Sequence, residues 1–278
     1  MRLTSVILLA TAAALAGCAA PADREVLYQV STINALMEGL YDGEATLADL
    51  VRQGDIGIGT FDALDGEMVV LDGAVYQVRA DGKVYRPGPR TTTPFASVTF
   101  FDPDLTIRLD AALDLVQLEA LMDRAAQDFA ALSQADAAAG QAVVGAVINR
   151  NMPLAVRITG TFRHVKTRSV PRQVKPYPRL VDVAARQPTF EFKDVRGTVV
   201  GFRLPEFIKG INVPGWHLHF LTEDRAAGGH ILELETGDVR VDIDPTPSLR
   251  IALPRGGEFA RTDVSKDRDA EVRRVEKP

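Results

Sequence analysis

Three of the four histidines in this chain fall between positions 217 and 230, in Gly215-Trp216-His217-Leu218-His219-Phe220 and Gly228-Gly229-His230. Side chains alternate along a strand, so His217 and His219 share one face while Trp216, Leu218 and Phe220 take the other. Glu223 to Gly229 reads as a turn, which returns His230 beside them at the start of the next strand. Such a hairpin commits the region to antiparallel sheet. It also brings three neutral nitrogen donors to one point, the ligand set of a catalytic zinc site with coordination positions left open. An apolar back face would hold that donor face rigid. His164 lies outside the cluster and reads as a satisfied structural histidine.

A chain of 278 residues can bury a substantial core as one large domain or two ordinary ones. Its net charge of −5, with no basic stripe, argues against a nucleic-acid partner. Met1-Arg2, an apolar run from Val6 to Leu15, and Leu15-Ala16-Gly17-Cys18 together read as an export signal over residues 1–17. The pattern resembles a bacterial lipobox, which would make Cys18 the lipidated first residue of the mature protein, tethered by residues 18–24. With a single cysteine, no disulfide can form within the chain.

Leu27 to Val30 reads as a strand and Ile33 to Leu40 as a short helix. Thr46-Leu47-Ala48-Asp49 is a capping box with Asp in place of Glu, opening a helix that stops at Gln53-Gly54. Strands follow at Gly57 to Phe61, Glu67 to Leu71 and Val75 to Val78, the last two joined by an Asp72-Gly73 hairpin turn, and then at Ala96 to Phe101. Leu115 to Leu132 carries apolar residues at helical spacing, with Glu119, Asp123, Arg124 and Asp128 on the polar face. Further strands are expected at 154–161, 189–192, 198–202, 217–221, 230–235, 239–243 and 249–253, with a helix over 176–185. The pattern is α+β, mixed in the first half and strand-dominated in the second, with a boundary near residue 150. The charged tail from Asp263 to Pro278 has the composition of disorder. Taken alone, Arg168 and Glu67 read as solvated surface charges, although an arginine at 168 could grip a carboxylate at two points.

Several ordered blocks together carry a resemblance. These are Tyr28-Gln29-Val30-Ser31-Thr32, Gly57-Ile58-Gly59-Thr60-Phe61, Leu64-Asp65-Gly66-Glu67-Met68, Val165-Lys166-Thr167-Arg168, Arg196-Gly197-Thr198-Val199-Val200-Gly201-Phe202 and the histidine block. Over nearly the whole mature chain the sequence resembles the bacterial alpha-acetolactate decarboxylases. The resemblance implies two α/β domains: a mixed-sheet N-terminal domain over 25–150, and a largely antiparallel, barrel-like β domain over 151–278. It implies zinc on His217, His219 and His230, with Glu67 supplied by the first domain and Arg168 by the second. It also implies a glutamate from the C-terminal tail. By spacing this is Glu276, with Glu271 a nearby competitor, so the tail would be a strap over the site. Thr60 would line the same pocket.

The expected reaction is zinc-dependent loss of CO2 from 2-acetolactate to give acetoin, by way of an enediolate stabilised by a Lewis-acid metal. Arg168 would orient the carboxylate, and Glu67 and Glu276 would move the protons. The resemblance also implies a homodimer; the leader implies an exported protein held to the cell envelope only by its lipid. Two other readings fit the residues: a different zinc enzyme, such as a hydrolase on the same scaffold, and a non-catalytic lipoprotein that binds a metal or a small acid.

Overall fold

The computed structural model describes residues 24–138 and 149–276. The expected leader of residues 1–17 and Cys18 therefore lie outside the described residues. The elements run β1 Val26–Val30, α1 Ile33–Met37, β2 Ala45–Thr46, α2 Leu47–Leu50, β3 Ile56–Thr60, β4 Glu67–Leu71, β5 Ala74–Val78, β6 Val84–Tyr85, β7 Thr92–Thr93, β8 Ala96–Thr99 and β9 Leu105–Asp110. They continue with α3 Leu115–Ala138, β10 Leu154–Arg168, α4 Leu180–Ala184, β11 Thr189–Leu204, β12 Gly215–Thr222, β13 Gly228–Pro245, β14 Ser248–Ala252 and α5 Asp269–Glu276.

The chain is α+β, and its strands form two principal sheets. The first is mixed and seven-stranded, in the order β14-β1-β8-β3-β4-β5-β6; β14 runs parallel to β1 and the other pairs are antiparallel. The second is antiparallel, in the order β10-β11-β12-β13-β9, and β13 also pairs with β10. That extra pairing closes β10, β11, β12 and β13 into a small barrel-like ring, with β9 on the remaining edge of β13.

Sheet membership crosses the expected boundary near residue 150 in both directions. β9 belongs to the second sheet although it precedes that point, and β14 returns to the first sheet although it follows it. The sheets also share a core. Leu27, Ile56, Ile58 and Val69 of the first pack with Ala155, Val200, Phe202 and Leu221 of the second.

Local chemistry explains several element ends. Thr46 accepts the Asp49 backbone N–H at 3.1 Å, so the expected cap is made. Asp72 and Gly73 adopt φ of 51° and 73°, the left-handed pair that a two-residue hairpin needs. α1 stops at Met37 rather than Leu40 because the chain turns at Gly39, where a Cβ would lie 2.9 Å from the Pro178 carbonyl oxygen. α4 is likewise shorter than the helix expected over 176–185.

The second-sheet strands are longer than expected. Residues 189–192 and 198–202 belong to one strand, as do 230–235 and 239–243. Gly237, between the last two, reads as a break but acts as a bend. Gly160 pairs with Val239 and Phe162 with Thr236, so Gly237 and Asp238 together stand opposite Thr161. That is a β-bulge, and it turns the long strands around the ring without ending them.

Candidate active site

Two cross-strand rows face each other at the junction of the sheets. In the second sheet Arg168 of β10 is in register with His230 of β13, which is in register with His219 of β12. In the first sheet Thr60 at the end of β3 is in register with Glu67 at the start of β4. His217 sits two residues before His219 on the same face. Trp216, Leu218 and Phe220 point the other way into the ring core, as the alternation requires. Glu276 enters from the last residue of α5.

The histidine donor atoms all lie within 4.8 Å of one another. Each of two rings is oriented by a hydrogen bond to a carbonyl on its far side. His219 Nδ1 donates to the Met68 carbonyl oxygen at 2.8 Å, and His230 Nε2 donates to the Glu276 carbonyl oxygen at 3.2 Å. These bonds leave His219 Nε2 and His230 Nδ1 as lone-pair donors turned inward. His217 Nε2 lies 3.0 Å from His230 Nδ1. Burial, reinforced by His217, pushes the His219 imidazole down to about 3, and burial also holds His230 well below the usual histidine range. Both rings are therefore neutral, as metal ligands must be. His219 Nε2 is buried without a hydrogen-bond partner. A bare inward nitrogen beside two other imidazoles fits a cation, so the residues present suit a metal.

The expected side chains do converge. Glu276 Oε2 lies 3.3 Å from His217 Nε2, 3.6 Å from His230 Nδ1 and 3.2 Å from Arg168 Nη2. Glu67 Oε2 lies 3.7 Å from His219 Nε2, and its other oxygen is 4.0 Å from Arg168 Nε. Burial, with Glu276 nearby and Arg168 opposing, raises the Glu67 carboxyl to about 7. Thr60 donates its hydroxyl to the Gly66 carbonyl at 2.7 Å, which fastens the turn leading into Glu67.

Arg168 and Glu67 are 3% and 6% exposed, so the surface reading of each taken alone is overturned. Most of the Arg168 fork is already engaged. Nη1 donates to the Val275 carbonyl at 2.6 Å and to Gln187 at 3.0 Å, Nη2 to Glu276, and Nε alone is buried without a partner. Within the tail, Asp269–Glu276 is a helix, where the composition had suggested disorder. Val272 and Val275 of α5 pack among Ile33, Leu36, Leu180 and Val183. Glu271 points away from the site and pairs with Arg179 and Arg268.

Two cavities flank the donors. A recess of about 30 Å³ is bounded by Thr60, Leu64, Glu67, Phe95, Arg168 and Val170. On the other side a cleft of about 540 Å³ reaches His217, His230 and Glu276 from the surface. His164 lines this cleft, half-buried and 4.0 Å from Glu191. The sequence reading missed Gln187 and the Met68 carbonyl. Gln187 lies in no quoted motif, and Met68, although it closes the Leu64 to Met68 block, acts through its backbone carbonyl.

The sequence profile of the alpha-acetolactate decarboxylase family matches residues 27–266. The alpha-acetolactate decarboxylase of Methanosarcina mazei is 46% identical over 255 residues, covering 91% of this chain and 81% of that protein. That of Methylococcus capsulatus is 42% identical over 254 residues, covering 91% and 89%. The crystal structure of alpha-acetolactate decarboxylase from Bacillus subtilis superposes with a TM-score of 0.81 at 35% identity, covering 91% of this chain and all of that one. α5 lies beyond the profile match, and its fit to Arg168 and His230 completes a site whose other parts lie within it. By sequence and by fold, the chain belongs to the alpha-acetolactate decarboxylase family.

Proposed function

We propose that this protein removes CO2 from 2-acetolactate to give acetoin, with a zinc ion held by His217, His219 and His230. The observation that carries the reading is the meeting of three imidazoles with two buried carboxylates and one buried arginine. Zinc bound there supplies a Lewis acid for the electron pair left when CO2 departs.

The protein's own groups account for the rest. Arg168 offers its unpartnered Nε–H toward the substrate carboxylate, while its other nitrogens stay tied to α5. The substrate C–C bond to the carboxylate breaks, and the pair moves into the neighbouring ketone to give an enediolate. Glu276 is pinned by Arg168 and faces two histidines, so it serves as a further ligand. Glu67 has no hydrogen bond from Arg168, and burial makes it hold a proton readily. In its ionised form it takes the hydroxyl proton and, once protonated, gives it to the carbon, and a proton from solvent then restores the acetoin hydroxyl. The apolar recess beside Leu64, Phe95 and Val170 accepts a methyl group and keeps water from the reacting carbon.

The deciding measurement is acetoin formed from racemic acetolactate, with bound metal determined in parallel. Chelator-sensitive acetoin formation with zinc restoring it is the expected result; bound metal without acetoin overturns the reading. We also infer export through residues 1–17 and anchoring through Cys18, which Cys18→Ser tests by release of the protein from membranes. Among the described residues no helix is long and apolar enough to cross a membrane. The homodimer is a further proposal, tested by the mass in solution.

A further inference from the structure

α5 reaches the site with its C-terminal end. The Val275 and Glu276 carbonyls, which no later turn of helix could satisfy, accept Arg168 Nη1 and His230 Nε2. An α-helix advances 1.5 Å per residue, so an axial slip of even one residue would break both bonds and withdraw the Glu276 carboxylate. Something must set that axial position. Val272 and Val275 bury the helix face, but apolar contact does not fix sliding along the axis.

A closed ring of four charges lies one turn back from the site. Glu38, just after α1, offers one oxygen to Arg268 in a short contact and the other to Arg179 Nε at 3.8 Å. Glu271 of α5 offers one oxygen to Arg268 at 3.2 Å and the other to Arg179 at 2.5 Å. Each carboxylate thus bridges the same two guanidinium groups. The side chains are 16% exposed for Glu38 and Arg268, 26% for Glu271 and 36% for Arg179. The ring ties α5 to the end of α1 and the start of α4, two elements that wall the recess through Ile33, Leu36 and Leu180. A second ring on the outer flank joins Asp269 and Arg273 to Glu206 and Lys209, but Arg273 is 54% and Glu206 68% exposed. Exposed pairs of that kind contribute little, whereas the sheltered ring is screened less.

We propose that Glu38, Arg179, Arg268 and Glu271 are positioning residues: their ring is an axial stop that sets where α5 ends, and so holds Glu276 against Arg168 and the histidines. None of the four touches the donors or the recess cavity. The proposal rests on the metal-site reading above only for its catalytic consequence; the placement of α5 is measurable without turnover.

The experiment compares Arg268→Ala and Glu38→Gln with the outer-ring variant Arg273→Ala, each in the full chain loaded with zinc. Hydrogen exchange at residues 272–276 is expected to speed up at least tenfold in both inner-ring variants, with zinc lost at least tenfold faster on dilution into chelator. Combining Arg268→Ala with Glu38→Gln should add little to either single change, because both open one ring. Arg273→Ala should match the parent. On acetolactate, kcat should fall about tenfold in the inner-ring variants with KM little changed. Unchanged exchange at 272–276 in the inner-ring variants, or an equal effect of Arg273→Ala, overturns the axial stop. Faster exchange and zinc loss in a protein that makes no acetoin would uphold the stop while sinking the decarboxylase reading.

Discussion

The histidine strands and the C-terminal helix deliver groups to the same point by different means. β12 and β13 are held by backbone ladders on both sides, so His219 and His230 are placed by hydrogen bonds that hold whatever side chains surround them. α5 has no ladder. It is held by two valines, a pair of ion-pair rings and the contacts its last carbonyls make with Arg168 and His230. The comparison separates a preorganised half of the site from a docked half. Changes on the strands should act as a switch, and changes on the helix as a dial.

The largest effect is expected from His219→Ala. Removing one of three strand-borne donors should abolish stoichiometric zinc, and acetoin formation should fall by roughly a thousandfold or more, the scale of several kcal/mol of lost charge stabilisation. Metal analysis and initial rates check this, and a variant that kept its zinc would erase the distinction between the two halves. Glu67→Gln comes next, since it keeps the shape of a first-sheet residue while removing proton transfer. Turnover should drop about 10²- to 10⁴-fold at unchanged zinc content; a drop in zinc of the same size would make Glu67 a ligand instead.

Glu276→Gln probes the docked half without removing the helix. Zinc affinity should weaken by about 10- to 100-fold, as for a supporting group, with the three histidines still binding. Titration against a competing chelator measures it, and complete loss of metal would show that helix and strands are equal partners.

The smallest effect tests a strand far from the chemistry. Asp244 of β13 is buried, with Oδ2 accepting the Asp102 N–H at 3.0 Å and Oδ1 unpartnered. Burial, aided by Glu25, Asp104 and Asp102, raises its carboxyl to about 8. An unfolded aspartate ionises near 4. The folded state therefore favours the protonated form, and the native protein loses stability as pH rises from about 4 toward about 8. Asp244→Asn should match the parent near pH 4 and melt roughly a few degrees higher at pH 8, with kcat untouched. A pH-independent difference in melting temperature would contradict the buried-acid account.

What could be read in advance followed the same division. The hairpin was legible because its donors are neighbours in sequence and the two-residue alternation assigns their faces. Arg168 and Glu67 looked like surface charges because their burial depends on packing between sheets, which no local window contains. α5 looked disordered because only Ala270, Val272 and Val275 break its charge, and its partners Glu38 and Arg179 are far away along the chain. Two long strands of the ring were each divided in two because Gly197 and Gly237, which lie within them, have the same letter as a glycine in a turn. The resemblance supplied what local rules could not, namely that Glu67, Arg168 and Glu276 belong together.

β14 has a consequence for how the molecule is made. The first strand of the chain must wait for nearly the last one, because Val26 to Val30 finds its parallel neighbour only in Ser248 to Ala252. Until then β1 is itself the edge of the first sheet, and long-range pairing of this kind is slow to form. β14 then covers β1 and becomes the edge in its place, and α5 follows it along the chain. A chain interrupted before residue 248 would own every histidine, yet it would lack Glu276 and leave the β1 edge without its parallel partner.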